Sequence, residues 1–159
     1  MIGLIVIALG AAAFAVWFQW RQTRRCLAFY GPDVARAIQQ APRVELWRLA
    51  VAPPPRGIVA ASRVDVSHAP GIVHLRHGLV EDANFTWEPH GSARVDAAAW
   101  DGAIAFFGPD SEQPEAILAF GLHGAPSLTV VGQGGRIGLG RFGKALDRWL
   151  TATGMPVGR

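Results

Sequence analysis

The sequence predicts an α+β protein, in which an N-terminal transmembrane helix precedes one small domain built on a mostly antiparallel sheet. We expect about five or six strands, arranged as a meander in the second half, and about two or three helices packed on one face. Three observations predict this class. A long uncharged run opens the chain, short runs of branched and aromatic residues recur between Gly- and Pro-containing turns, and an amphipathic segment comes last.

The same pattern divides the chain into four parts. These are a transmembrane anchor (1–20), a basic juxtamembrane linker (21–30), an α+β globular domain (31–153) and a flexible tail (154–159).

The opening run from Ile2 to Phe18 carries no charged residue. As a helix that rises about 1.5 Å per residue, it approaches the roughly 30 Å thickness of the hydrocarbon core of a bilayer. A cleaved secretory signal is the alternative, but neither a basic segment before the run nor a small-residue cleavage site after it is present. We therefore expect a retained signal-anchor and a single-pass membrane protein.

Aromatic and basic residues follow the run, where we expect the membrane interface. Trp17 and Trp20 suit the headgroup level, and Arg21, Arg24 and Arg25 come at or just after it. Because basic residues collect on the cytoplasmic side of a span, the pattern predicts an outward N-terminus and a cytoplasmic domain.

These three arginines also account for the net charge of +3, since the chain has 15 basic and 12 acidic residues in total. The domain is therefore formally neutral, and nucleic acid is not an expected partner despite a pI of about 10.0. The expected partners are the lipid bilayer and a membrane or cytoplasmic protein. The single cysteine, Cys26, excludes an intramolecular disulfide.

The first half of the domain predicts a helix, two strands and a second helix. Gly31-Pro32-Asp33 is typical of a helix start, and Pro42 ends that helix after about Gln40. The strands are predicted over Val44–Val51 and Gly57–Val66, separated by a Pro53–Pro55 break. Ser67 as a cap and apolar residues at helical spacing favour a helix over 69–82, although alternation from Val73 to Leu79 leaves a strand open.

The second half predicts a meander that ends in a helix. Phe85–Glu88 is a short strand and His90–Ala99 a loop. Turns rich in Gly and Pro separate the next strands. The expected elements are strands at Ala103–Phe107, Ala116–Leu122, Leu128–Val131 and Arg136–Leu139, and a helix at Arg141–Thr151.

One constellation could hold a metal ion. On a helix over 69–82, His74, His77 and Glu81 would lie within an arc of about 60°. Imidazole and carboxylate groups so placed can bind a zinc-like ion, although no known zinc motif is present. A solvated polar helix face is the simpler interpretation.

Gly138 to Lys144 matches two glycine-rich nucleotide-binding patterns, except that Ala145 stands where a phosphate loop needs Ser or Thr. Such a loop opens a βαβ unit, and too little chain follows for one. We therefore interpret the glycines as a tight turn into the last helix and expect no cofactor.

The leading hypothesis from the sequence is a membrane-anchored, non-enzymatic binding module. The alternatives are a small metal-dependent hydrolase that uses His74, His77 and Glu81, and a domain that binds lipid or a small amphiphile.

Overall fold

The protein is an α+β fold with one antiparallel sheet, as its computed structural model shows. The structure describes residues 2–51, 58–90 and 100–154. The predicted Pro53–Pro55 break, most of the predicted 90–99 loop and nearly all of the predicted tail lie outside these ranges. The helices are α1 (Ile2–Gln40), α2 (Ile72–Val80) and α3 (Phe142–Ala152), with a single 3₁₀ turn at Asp82–Asn84.

The described strands number seven, rather than the five or six predicted, and all of their pairings are antiparallel. They follow the order β2-β1-β4-β5-β6-β7-β3 across the sheet. Their bounds are β1 (Arg43–Val51), β2 (Ile58–Asp65), β3 (Thr86–His90), β4 (Gly102–Phe107), β5 (Pro114–Gly121), β6 (Ser127–Val130) and β7 (Arg136–Gly138).

The predicted meander is confirmed, because β4 to β7 pair in chain order. The placement of β3 is not visible in the sequence. It crosses to the far edge of the sheet, where Thr86 pairs with Gly138 of β7.

The helices pack on one face of the sheet. Alternate residues of the strands point to that face, where they form the main core with the buried sides of α1, α2 and α3. Phe142, Leu146 and Leu150 of α3 are buried there, so the last predicted helix is amphipathic, as expected. The opposite face holds a smaller cluster around Trp47, Trp100 and Phe107.

Helix α1 combines segments that the sequence analysis treated separately. Its assigned span runs through the predicted linker at 21–30, and a kink at Gly31 (φ 75°, ψ 166°) divides it before Pro32. Only glycine adopts that backbone conformation readily. Cys26 and Tyr30 are buried in the main core, so α1 already belongs to the packed unit over the last turns before the kink.

The predicted transmembrane helix is not found in this structure. Over the described residues, no helix combines the length and the apolarity that crossing a membrane requires.

Helix α2 confirms the helical alternative for the stretch around residue 75, over a shorter range than predicted. Its buried residues recur at helical spacing, at Ile72, Leu75, Leu79 and Val80. The predicted cap was wrong, however. The N-cap is Gly71, in the left-handed conformation and without a side-chain cap.

Ser67 has a different role from the predicted one. Its hydroxyl accepts a hydrogen bond from the Val44 amide at 2.9 Å and donates one to Asp65 at 2.6 Å. The serine therefore ties the end of β2 to the start of β1. The Ser67 hydroxyl and amide both donate to Asp65, and these bonds lower the pKa of the Asp65 carboxyl.

Candidate functional site

The N-terminal part of α1, residues 2–20, is named here the apolar arm. Large apolar side chains of this arm are exposed, at 69% for Ile7, 66% for Leu9 and 62% for Phe14. Trp17 and Phe18 are each 48% exposed. Exposed apolar residues scattered singly are ordinary, but several large ones close together on one segment indicate an interaction surface. The side chain of Trp20 lies outside the described part of the structure.

The aromatic residues of the apolar arm contact one another. Phe14 lies 5.8 Å from Trp17 and 6.1 Å from Phe18 between ring centroids. These contacts leave roughly half or more of each side chain accessible. The described side chains of the arm thus offer an accessible aromatic group together with the exposed Ile7 and Leu9.

A cleft of about 440 Å³ opens where the apolar arm ends. It is named here the basic cleft, and its walls are Arg21, Arg24, Arg25, Asp82, Ala83 and Trp87. Residues spaced by three and four along a helix share one face, which explains why the three arginines meet in one place. The structure therefore brings together the predicted interface cations and adds residues from the domain.

The guanidinium of Arg21 also contacts the apolar arm. Its central carbon lies 5.4 Å from the centroid of the Trp17 ring, within the range of a cation–π interaction. The apolar arm and the basic cleft are consequently continuous along α1.

Asp82 joins the helix to the domain, and this arrangement is named here the Asp82 joint. Its carboxylate accepts hydrogen bonds from the Arg25 amide at 2.9 Å and the Cys26 amide at 2.8 Å. Burial raises the pKa of the Cys26 thiol well above its usual range, and a hydrogen bond to Asp82 raises it further. The thiol is therefore a protonated, buried group.

Trp87 forms the domain wall of the basic cleft. Its indole N–H donates to the Asp82 carbonyl at 2.8 Å. Its ring packs edge-to-face on Phe85 with 5.8 Å between centroids, and Phe85 in turn contacts Phe142 of α3 at the same distance. The tryptophan is thus held by the core while one side remains accessible.

The residues of the metal hypothesis lie on or next to α2 and are not gathered into a site. His74 and His77 are exposed, whereas Glu81 follows the helix with extended backbone angles (φ −96°, ψ 116°). The Glu81 carboxylate instead accepts a hydrogen bond from the Asn84 side chain at 3.2 Å. Among the described residues, no group of three or more His, Cys, Asp or Glu side chains could hold a metal ion.

A larger cleft of about 870 Å³ lies between α1 and α2, and His77 and Glu81 are on its wall with Gln22 and Val73. Arg76 also borders it and donates to the Ile38 carbonyl at 3.2 Å and the Ala41 carbonyl at 2.6 Å. Loss of solvent lowers the pKa of this guanidinium. Arg76 therefore satisfies one carbonyl in the last turn of α1 and one directly after the helix.

The glycine-rich segment forms a turn, as predicted. Gly140 has a φ of 42°, and a Cβ there would lie 2.7 Å from the Asn84 carbonyl oxygen. Only glycine fits this close approach between the chain before α3 and the 3₁₀ turn.

The role of Asp82 was missed by the sequence analysis. It lies 57 residues from Arg25 along the chain, and no local pattern links them.

Comparison with known proteins adds no relative, since no family model, curated protein or solved structure matches the chain significantly.

Proposed function

We propose that this protein is a membrane-attached binding module. The apolar arm inserts into a lipid bilayer and holds the α+β domain at the cytoplasmic surface, where the domain binds another protein. The observation that carries the proposal is the exposure of five large apolar side chains on this one segment, namely Ile7, Leu9, Phe14, Trp17 and Phe18. Burying such a side chain fully stabilises by about 1.5–3 kcal/mol, so several together favour transfer from water to lipid.

The order of residues along α1 supports attachment at an interface. Apolar residues come first, Trp17 follows, and the arginines of the basic cleft come next. Tryptophan rings favour the headgroup level, and cations favour the aqueous, cytoplasmic side. The same order supports the proposed orientation.

The Asp82 joint supports a defined position for the domain. Two hydrogen bonds from the α1 backbone reach Asp82, and Cys26 next to them is buried in the core. The domain is therefore fixed to the helix and does not rotate freely about it. Attachment of the arm would place the basic cleft next to the lipid.

Flotation of the full chain with vesicles of neutral phosphatidylcholine tests the proposal. We expect the wild type to float with the vesicles and Leu9→Asp to lose about a hundredfold in partitioning, since an acid within the hydrocarbon costs about 3 kcal/mol. Val73→Asp on α2 is the matched control, because Val73 is also a branched apolar residue and is 60% exposed.

The outcomes separate lipid from protein as the partner of the arm. Flotation of the wild type and the Val73 variant, with loss in the Leu9 variant, supports the proposal. Wild-type protein that stays with the aqueous fraction, or a Leu9 variant that floats equally well, would contradict insertion of the apolar arm and leave a protein surface as its partner.

A further inference from the structure

We infer that the basic cleft binds the phosphate of an anionic lipid headgroup. This inference rests on the proposed function, because the apolar arm brings the cleft to the membrane. It adds a defined binding site and a ligand chemistry to membrane attachment by apolar contact.

The cleft offers cations in the arrangement that phosphate requires. Arg21 and Arg25 are one helical turn apart, and Arg24 lies between them on the same face. Guanidinium groups bind phosphate through paired N–H donors, which makes arginine better suited than lysine to such sites. The guanidinium groups of Arg21 and Arg25 line one cleft and together offer such donors to one phosphate.

The charge of the cleft calls for an anion. Arg21 and Arg25 line it beside Asp82, whose carboxylate already accepts two backbone N–H groups. Within the described ranges, the guanidiniums of Arg21 and Arg25 form no ion pair. A bound phosphate would supply the missing negative charge.

The position of the cleft favours a lipid as the source of that phosphate. The cleft begins directly after the exposed apolar side chains of the arm, and Arg21 stacks on Trp17. On the opposite wall, Trp87 presents a partly accessible indole. One tryptophan on the wall of the cleft and a second that contacts Arg21 are suited to the headgroup layer, where phosphates are concentrated.

Partitioning of the full chain onto vesicles tests the inference, and the quantity measured is the anionic increment, that is, the gain in binding strength when anionic lipid is included. Neutral phosphatidylcholine vesicles are compared with vesicles in which about a fifth of the lipid is phosphatidylglycerol. We expect anionic lipid to strengthen binding of the wild type, and Arg21→Gln and Arg25→Gln each to lose about fivefold of that increment. Arg25→Lys, which keeps the charge without the fork, is expected to lose less.

Arg148→Gln is the matched control, since it removes one positive charge from an exposed position on α3. We expect this variant to lose less than about twofold. An equal loss in the Arg25 and Arg148 variants would overturn the site in favour of diffuse attraction. The site would also be overturned if wild-type protein floated with neutral vesicles and anionic lipid did not strengthen its binding. That result would leave the proposed function intact.

Inorganic phosphate distinguishes the sources of the ligand. At matched ionic strength, it should reduce the anionic increment more than chloride does, because it competes for the forks as well as screening charge. Equal reduction by both salts would contradict a phosphate site. Tight binding of inorganic phosphate without vesicles would assign the cleft to a soluble ligand and overturn the lipid assignment.

Discussion

Removal of the Asp82 carboxylate is expected to release α1 from the domain near Arg25. The substitution Asp82→Ala eliminates the acceptor of two backbone hydrogen bonds, of 2.9 Å and 2.8 Å. A hydrogen bond to a charged group contributes about 1.5–3 kcal/mol, and the solvent-exposed bond from Arg25 lies toward the low end. We therefore expect a loss of about 3 kcal/mol in the free energy that docks this part of the helix. Asp82→Asn keeps a neutral acceptor and should lose about half as much.

Amide hydrogen exchange measures this loss where it occurs. A loss of about 3 kcal/mol corresponds to roughly a hundredfold faster exchange at the amides of Arg25 and Cys26, when exchange proceeds through local opening. Amides of the interior strand β4 should exchange at nearly the wild-type rate, because the joint lies at the edge of the core.

Asp33→Ala is the matched control for this experiment. Asp33 is an acid on α1 itself, but its carboxylate is 90% exposed and forms only a 3.5 Å ion pair with Arg36. Such surface pairs contribute about 0–1 kcal/mol. If the Asp82 and Asp33 variants changed exchange at Arg25 and Cys26 equally, the Asp82 joint as described would be refuted.

Two further predictions concern the core. Burial and Asp82 raise the pKa of the Cys26 thiol from its ordinary value of 9.0. Above about pH 9 the thiol therefore loses its proton in the unfolded chain and keeps it in the folded one. The free energy of unfolding should fall there by up to about 1.4 kcal/mol per pH unit. Cys26→Ala should show a shallower fall in urea unfolding between neutral pH and about pH 10, and identical slopes would contradict the assignment. Gly78→Ala should destabilise by about 1–3 kcal/mol, because the new Cβ would lie 2.5 Å from the Phe142 ring. Gly134→Ala is the control, because nothing lies within 4 Å of its new Cβ, and it should leave the melting temperature unchanged or slightly raised. Equal melting temperatures for the two variants would refute the packing argument.

Local patterns predicted the parts of the fold that local physics controls. The stripe of α3 repeats at helical spacing, and the turns of the meander contain Gly and Pro, so both followed from residues close together in the chain. The α2 stretch needed more, since its alternation also allowed a strand. Burial of Ile72 and Val80, together with exposure of Val73 and His77, decides for the helix.

Contacts between distant residues account for what the sequence analysis missed. Ser67 suggested a helix cap, but its hydroxyl instead accepts a hydrogen bond from the backbone amide of Val44, which lies 23 residues away on the neighbouring strand. Asp82 gave no local signal for its bonds to α1. Only part of the basic cleft could be predicted from the sequence. The spacing of its arginines was evident there, whereas the wall that Trp87 provides depends on the tertiary fold.

A spin label on the apolar arm tests the central claim most directly. The substitution Leu9→Cys introduces an exposed thiol for labelling, while the native Cys26 is only 1% exposed. In the presence of phosphatidylcholine vesicles, we expect the label at position 9 to collide more often with oxygen, which concentrates in lipid, than with a water-soluble nickel complex. A label introduced by Val73→Cys should show the opposite preference. If the label at position 9 remained as accessible to nickel as the one at position 73, insertion of the apolar arm into the bilayer would be contradicted.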